Sequence, residues 1–293
     1  MHIRITLVLG AVLLAGAVVA AQPALEITVH ARELVPGEPV RVVVRSGEPL
    51  RTASGRFLDR DVAMAPIPGQ EQPLVWSGWS MIGLDQDSGE AVVRILATSS
   101  AGKALTATRA VTVKAKEFPV ENLKVSSKYV EPPQEVQDRL ARERARLKTI
   151  YARRAPYPLS GPFVRPVPGE PTSIFGTRRL FNDQPRSPHP GLDLRAATGT
   201  VVQASGHGTV VLAQDLYYSG NLVILDHGGG LFTLYAHLSR IDVKEGDQVR
   251  AGQQIGLSGA TGRVTGPHLH WGAKIGNEPF DPTALLDPVL YGD

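Results

Sequence analysis

The chain has 293 residues, 42% of them hydrophobic and 20% charged, with 31 Lys plus Arg against 28 Asp plus Glu. That is the composition of a globular protein with material for more than one core, and it excludes a disordered, collagen-like or multi-span membrane chain. A net charge of only +3 gives no ground for a nucleic-acid partner, and the absence of cysteine excludes a disulfide framework, a thiolate metal site and a cysteine nucleophile.

Residues 1–21 read as a secretory signal peptide. His2 and Arg4 precede an apolar run, Ile5 to Ala20, and the small residues Val18, Ala20 and Ala21 offer a cleavage point. The run is short for a span of ~20 residues and no second run of spanning length follows. The expectation is an exported protein, periplasmic or extracellular, with no stable membrane span after signal cleavage. Residues 22–118 alternate apolar and polar side chains over Leu25–Ala31, through Val40, Val42 and Val44, and again over 91–98 and 105–115. Turn clusters such as Pro36-Gly37-Glu38-Pro39 separate the runs. This predicts an Ig-like β-sandwich, with Trp76 and Trp79 packed in its core or rim. Residues 119–171 read as a linker that carries one charged amphipathic helix over 133–154. Its signals are Pro132-Pro133 at the start and Val136, Leu140, Leu147 and Tyr151 at helical spacing. Prolines 156, 158, 162, 166, 168 and 171 then preclude a helix or central strand. From 172 to 290 short strands alternate with glycine turns, which predicts a mostly antiparallel β domain.

Three segments of this last domain carry chemistry: His189-Pro-Gly-Leu-Asp193, Tyr235-Ala-His237-Leu238 and Gly266-Pro-His268-Leu-His270-Trp271. Side chains alternate faces along a strand. By that rule His268, His270 and Lys274 share one face, Asp193 lies opposite Leu192 and Leu194, and His237 shares a face with Thr233 and Tyr235. If the strands are neighbours, the titratable residues line one surface. Without cysteine, a metal has to be held by histidines and carboxylates, and zinc accepts both while a catalytic site keeps one position for water. The expected ligands are His189, Asp193 and His270, with His237 and His268 beside them. His207 and His227 read as structural turn residues.

These segments resemble the lysostaphin-type (LytM-domain) zinc metalloendopeptidases of bacterial cell wall. The likeness covers residues 172–288 and includes Phe175-Gly176 with Arg178 or Arg179. The resemblance implies one Zn²⁺ per chain on His189, Asp193 and His270, and catalytic roles for His237 and His268. It also implies peptidoglycan peptide stems as substrate and hydrolysis of their cross-links, of the D,D-endopeptidase type, by metal-activated water. His268 would act as general base and His237 as water-orienting or oxyanion-stabilising partner. The alternative is a non-catalytic wall-binding regulator of another hydrolase.

Overall fold

The structure, a computed structural model, describes residues 24–124, 132–154 and 163–292. The signal segment and the prolines at 156, 158 and 162 lie outside these residues.

Strands β1 (Leu25–His30), β2 (Pro39–Ser46), β3 (Leu50–Phe57), β4 (Arg60–Val62), β5 (Ala65–Pro66), β6 (Val75–Met81), β7 (Gly89–Ser99) and β8 (Ala104–Val113) build two antiparallel sheets. Their orders are β1-β2-β6-β5 and β4-β3-β7-β8. The alternation seen in the sequence puts Ile27, Val42, Val44, Phe57, Val93 and Ile95 between the sheets, as in an Ig-like sandwich. Trp76 joins that core. Trp79, an odd number of positions away, faces out and packs with Phe280, Leu285 and Leu290 of the C-terminal segment.

The rest of the chain forms a second unit that starts earlier than its composition suggests. Strand β9 (Val120–Leu123) pairs in parallel with β11 (Arg178–Phe181), which in turn pairs with β12 (Gln184–Arg186). The main sheet runs β10 (Pro171–Ser173), β13 (Gly191–Arg195), β21 (His268–Ile275), β17 (Leu231–Leu238), β16 (Gly220–Asp226), β15 (Gly208–Leu216), β19 (Gln248–Val249), with β22 (Glu278–Phe280) also on β21. A small sheet of β14 (Val201–Gln203), β20 (Gln254–Leu257) and β18 (Arg240–Ile241) covers one face of it. Val202, Ala204 and Ile255 there meet Leu192, Leu194, Leu269 and Trp271. Helix α1 (Gln137–Tyr151) covers the other face, where Leu147, Ile150 and Tyr151 lie on Leu222, Ile224, Phe232, Leu234 and Ala236. The helix opens with a 3₁₀ turn, Gln134–Val136, behind Pro133. Of the Pro-rich stretch that reads as linker, Phe163 and Val167 are buried in the cores of this unit.

Two buried polar networks hold these layers. The buried Glu38 receives Arg32 at 2.5 Å and Lys116 at 3.4 Å, and Arg32 also reaches Asp281 at 2.9 Å and Thr283 at 2.9 Å. The clamp ties the sandwich to the C-terminal segment. Within the second unit, His227 Nδ1 donates to the His207 carbonyl at 2.6 Å, so its neutral Nε2 accepts from Thr233 Oγ1 at 2.7 Å. Thr233 Oγ1 then accepts from the Tyr235 hydroxyl at 2.9 Å, which itself accepts from the Ser205 N–H at 2.7 Å. Burial pushes His227 down to about 4.

Removing Arg32 leaves a buried carboxylate with one weaker partner. Arg32→Ala is expected to lower unfolding stability by about 2 kcal/mol in urea denaturation. His227 is neutral in the folded chain, while the unfolded chain takes up its proton near 6.5, so stability is full above that pH and falls as pH drops towards 4. The loss should be on the order of 1 kcal/mol per pH unit, and a His227→Asn chain should show a flatter dependence in the same denaturation series.

Candidate metal centre

The register of the main sheet assembles the site. Ser173 faces Asp193, Asp193 faces His270, and His270 faces Ala236 on successive strands. The reverse faces of the same strands carry the buried Leu192, Leu194, Leu269 and Trp271. Burial of those side chains therefore aims Asp193 and His270 the other way. His189, in the turn before β13, is fully buried and closes the group.

His189 Nε2, Asp193 Oδ1 and His270 Nδ1 form a triangle with edges of 3.0, 2.8 and 3.1 Å. His189 Nδ1 donates to the Ile174 carbonyl at 3.1 Å, which leaves its neutral Nε2 as an acceptor facing a carboxylate oxygen 3.0 Å away. Two acceptors so close require something positive between them. Tetrahedral zinc, bound at about 2.0–2.1 Å by N and O donors, spaces those donors about 3.3 Å apart. The donor set fits such an ion, and these three residues are brought together as the sequence expects. Burial pushes His189 down to about 4, which keeps it in the form that binds a cation. Burial opposes the charge of Asp193, but the hydrogen bonds with His189 and His270 outweigh it and hold the carboxyl well below the usual range.

Gly191 makes room for this arrangement. It pairs with Gly272 across the sheet, and a Cβ on Gly191 would lie 2.7 Å from His270 Cε1 and 2.6 Å from the Trp271 carbonyl oxygen. The imidazole of His270 occupies the space that a side chain at 191 would take.

His237 and His268 stand beside the triangle, their rings 4.9 Å apart, and His268 Nε2 is 3.6 Å from Asp193 Oδ1. His237 Nδ1 donates to the Thr261 carbonyl and His268 Nδ1 to the Gly266 carbonyl, each at 2.9 Å. Both rings, when neutral, thus carry an Nε2 lone pair. Burial, with His270 and His268 nearby, pushes His237 down to about 3.

The route by which His237 arrives differs from simple alternation. Asn221 pairs with Leu238 and Val223 with Tyr235, so Ala236 and His237 together oppose one residue of β16. This is a β-bulge, and His237 takes the left-handed φ of 65° that it requires. The bulge reverses the strand's parity. Tyr235 and Leu238 enter the core under the small sheet, while Ala236 enters the core under α1 on the side of His270. Thr233 and Tyr235 therefore do not share the site surface with His237, and Tyr235 is fully buried with its hydroxyl in the His227 network. The site lies instead on the Phe232-Leu234-Ala236 face.

Arg179 is the main participant that motif reading left without a task. Its Nη2 donates to Asp193 Oδ2 at 2.9 Å and to Ser173 Oγ at 3.2 Å. It occupies one carboxylate oxygen and leaves the other to the histidines. Its signal in the sequence is the alternation of β11, which puts Arg179 and Phe181 on one face. Both line a cleft of about 160 Å³ with Asp193, His237, His268 and His270.

Residues 187–282 match the model of peptidase family M23. Over 119 residues the chain is 48% identical to the peptidoglycan DD-endopeptidase ShyA of Vibrio cholerae, a match covering 40% of this chain and 28% of that protein. Over 101 residues it is 44% identical to the DD-carboxypeptidase/endopeptidase Mpg of Neisseria meningitidis, covering 34% and 23%. The chain thus spans about a quarter of the length of these relatives. A crystal structure described as a peptidase M23 of Pseudomonas aeruginosa aligns with 87% of this chain and 95% of that one, at a TM-score of 0.64 and 29% identity. The register that gathers His189, Asp193 and His270 thus lies in a peptidase family M23 domain, matched over residues 187–282 of this chain.

Proposed function

We propose that the chain is a zinc-dependent endopeptidase that hydrolyses peptide cross-links of peptidoglycan, of the D,D-endopeptidase type. In this reading residues 1–21 are a signal peptide and the protein works in the periplasm. The observation that carries the reading is a three-donor centre flanked by two imidazoles whose Nε2 lone pairs are set free by carbonyl partners on Nδ1. The kinship with enzymes named as peptidoglycan DD-endopeptidases supports the substrate class.

His189, Asp193 and His270 would hold the zinc. When bound, the ion supplies Lewis-acid activation of water and of the scissile carbonyl. His268 is the general base: its Nε2 takes the proton of the attacking water, and the Gly266 carbonyl on Nδ1 stabilises the resulting imidazolium. The same nitrogen then returns the proton to the departing amine. His237, less exposed and with its Nδ1–H held by the Thr261 carbonyl, stays neutral, and its Nε2 lone pair accepts a hydrogen bond from the attacking water and orients it. Arg179 fixes Asp193 in rotation by its hydrogen bond to Oδ2.

Cross-linked muropeptides incubated with the purified chain should be cleaved, and a chelator should abolish cleavage until zinc is restored. His270→Ala is expected to lose both metal and activity. His268→Ala should keep zinc and lose about 10²–10⁴-fold in kcat. Intact cross-links at full zinc occupancy in the unmutated chain would favour the regulator reading. Gly191→Ala should displace His270 and weaken zinc affinity about 10- to 100-fold, the range seen when support of a ligand is lost, as measured by competition with a chromophoric chelator.

A further inference from the structure

Helix α1 and the metal centre lie on the same face of the main sheet, and a groove of about 700 Å³ runs between them. It meets the centre at Pro190, Ala236 and His270. Its floor is apolar, formed by Leu222 and Leu234. Its charged lining consists of Arg144 and Lys148 on α1, Arg154 just beyond it and Lys274 on β21, with no carboxylate among the lining residues. We propose that this groove is a substrate subsite that receives the free carboxylates of the peptide stem on one side of the scissile bond, through Arg144, Lys148, Arg154 and Lys274. The proposal rests on the peptidoglycan-peptide reading above and names the part of that site which selects its substrate.

The charges on α1 are sorted by role. Arg139 pairs with Glu143 and Asp215, and Arg146 pairs with Glu245, so those two bind the helix to its own chain. Arg144 and Lys148 point into the groove, and among the described residues neither they nor Arg154 has a carboxylate partner. Like charges four positions apart oppose a helix. Arg154 hydrogen-bonds the backbone carbonyls of Tyr151 and Arg153, which orient it without neutralising it. Lys274 stands 4.5 Å over the Tyr151 ring and donates to the Asn277 carbonyl at 3.0 Å. Burial lowers it to about 8, offset in part by Glu278, which itself lies 3.9 Å from Arg60. A half-buried ammonium whose hydrogen-bond and ring partners are neutral is stabilised when a further carboxylate arrives, and Arg offers a carboxylate two parallel donors. Cross-linked stems present several such carboxylates on an extended peptide, and the apolar floor suits the aliphatic side chains between them. Because α1 lies outside residues 187–282, this wall is supplied by the chain beyond the family domain.

The test uses the full chain with two probes: a cross-linked muropeptide dimer with free carboxylates, and the same dimer with those carboxylates amidated. Binding is measured calorimetrically and cleavage by steady-state kinetics. The double variant Arg144→Glu/Lys148→Glu should raise Kd and KM for the free-acid dimer about tenfold or more, with kcat within about twofold. Lys274→Met should raise them in the same direction. The unmutated chain should bind the amidated dimer about as weakly as the double variant binds either probe. Thermal melts matched to the unmutated chain show that the variants fold. Unchanged Kd and KM in both variants would overturn the proposal, and so would equal weakening of both dimers. Binding of the free-acid dimer by the unmutated chain without cleavage would sink the hydrolase reading and leave the subsite standing. Cleavage with a variant KM equal to that of the unmutated chain would do the reverse.

Discussion

The position of β21 between β13 and β17 is the constraint on which the rest depends. Its pairing sets Asp193, His270 and Ala236 in one row, and the apolar residues on the reverse face lock that row in place. A slip of one residue would bury His268 and His270 and expose Leu269 and Trp271, at the cost of much of the core. The metal donors are thus held by hydrophobic burial on the far side of the sheet. The hydrogen bonds on the near side, from three different imidazoles to the Ile174, Thr261 and Gly266 carbonyls, only choose tautomers.

Regular strands were readable from the sequence. Asp193, His268, His270 and Lys274 sit on the faces that alternation assigns them, because β13 and β21 pair without interruption. The sandwich was readable for the same reason, and so was the helix, from the spacing of Leu140, Leu147 and Tyr151. At β17 the rule broke, because a bulge changes parity without changing the hydrophobic pattern. Phe232, Leu234 and Tyr235 are apolar enough to suit either face, and the sign that the strand kinks is a backbone angle at His237. An amphipathic pattern shows that a helix has a buried side and is silent on which surface it covers, so the pairing of α1 with the site face emerged only in three dimensions. Proline content likewise reports lack of regular structure and not lack of burial, as Phe163 and Val167 demonstrate.

The two units meet through chemistry of unequal kinds. Trp79 and Met81 bring apolar area to Phe280, Leu285 and Leu290, while Arg32, Glu38 and Asp281 fix orientation. Arg41 adds hydrogen bonds to the Leu290 and Gly292 carbonyls, so the last turns of the chain are gripped from the sandwich side. Because β22 and the C-terminal segment hang from β21, the sandwich braces the same strand that carries the donors.

Strand β9 gives the molecule a property that a domain diagram misses. It leaves the sandwich, pairs along β11 and lends Glu121 to the Ser173 hydroxyl and, at 3.8 Å, to Arg179, one bond removed from Asp193. Strand β9 is therefore part of the wall of the cleft at the metal centre. A graft of residues 187–282 into another protein would carry the metal donors and leave behind β9, β11 and α1. The family domain is in this sense a set of donors without its mould. The wall of the site thus begins at Val120, within what composition alone would cut as a spacer.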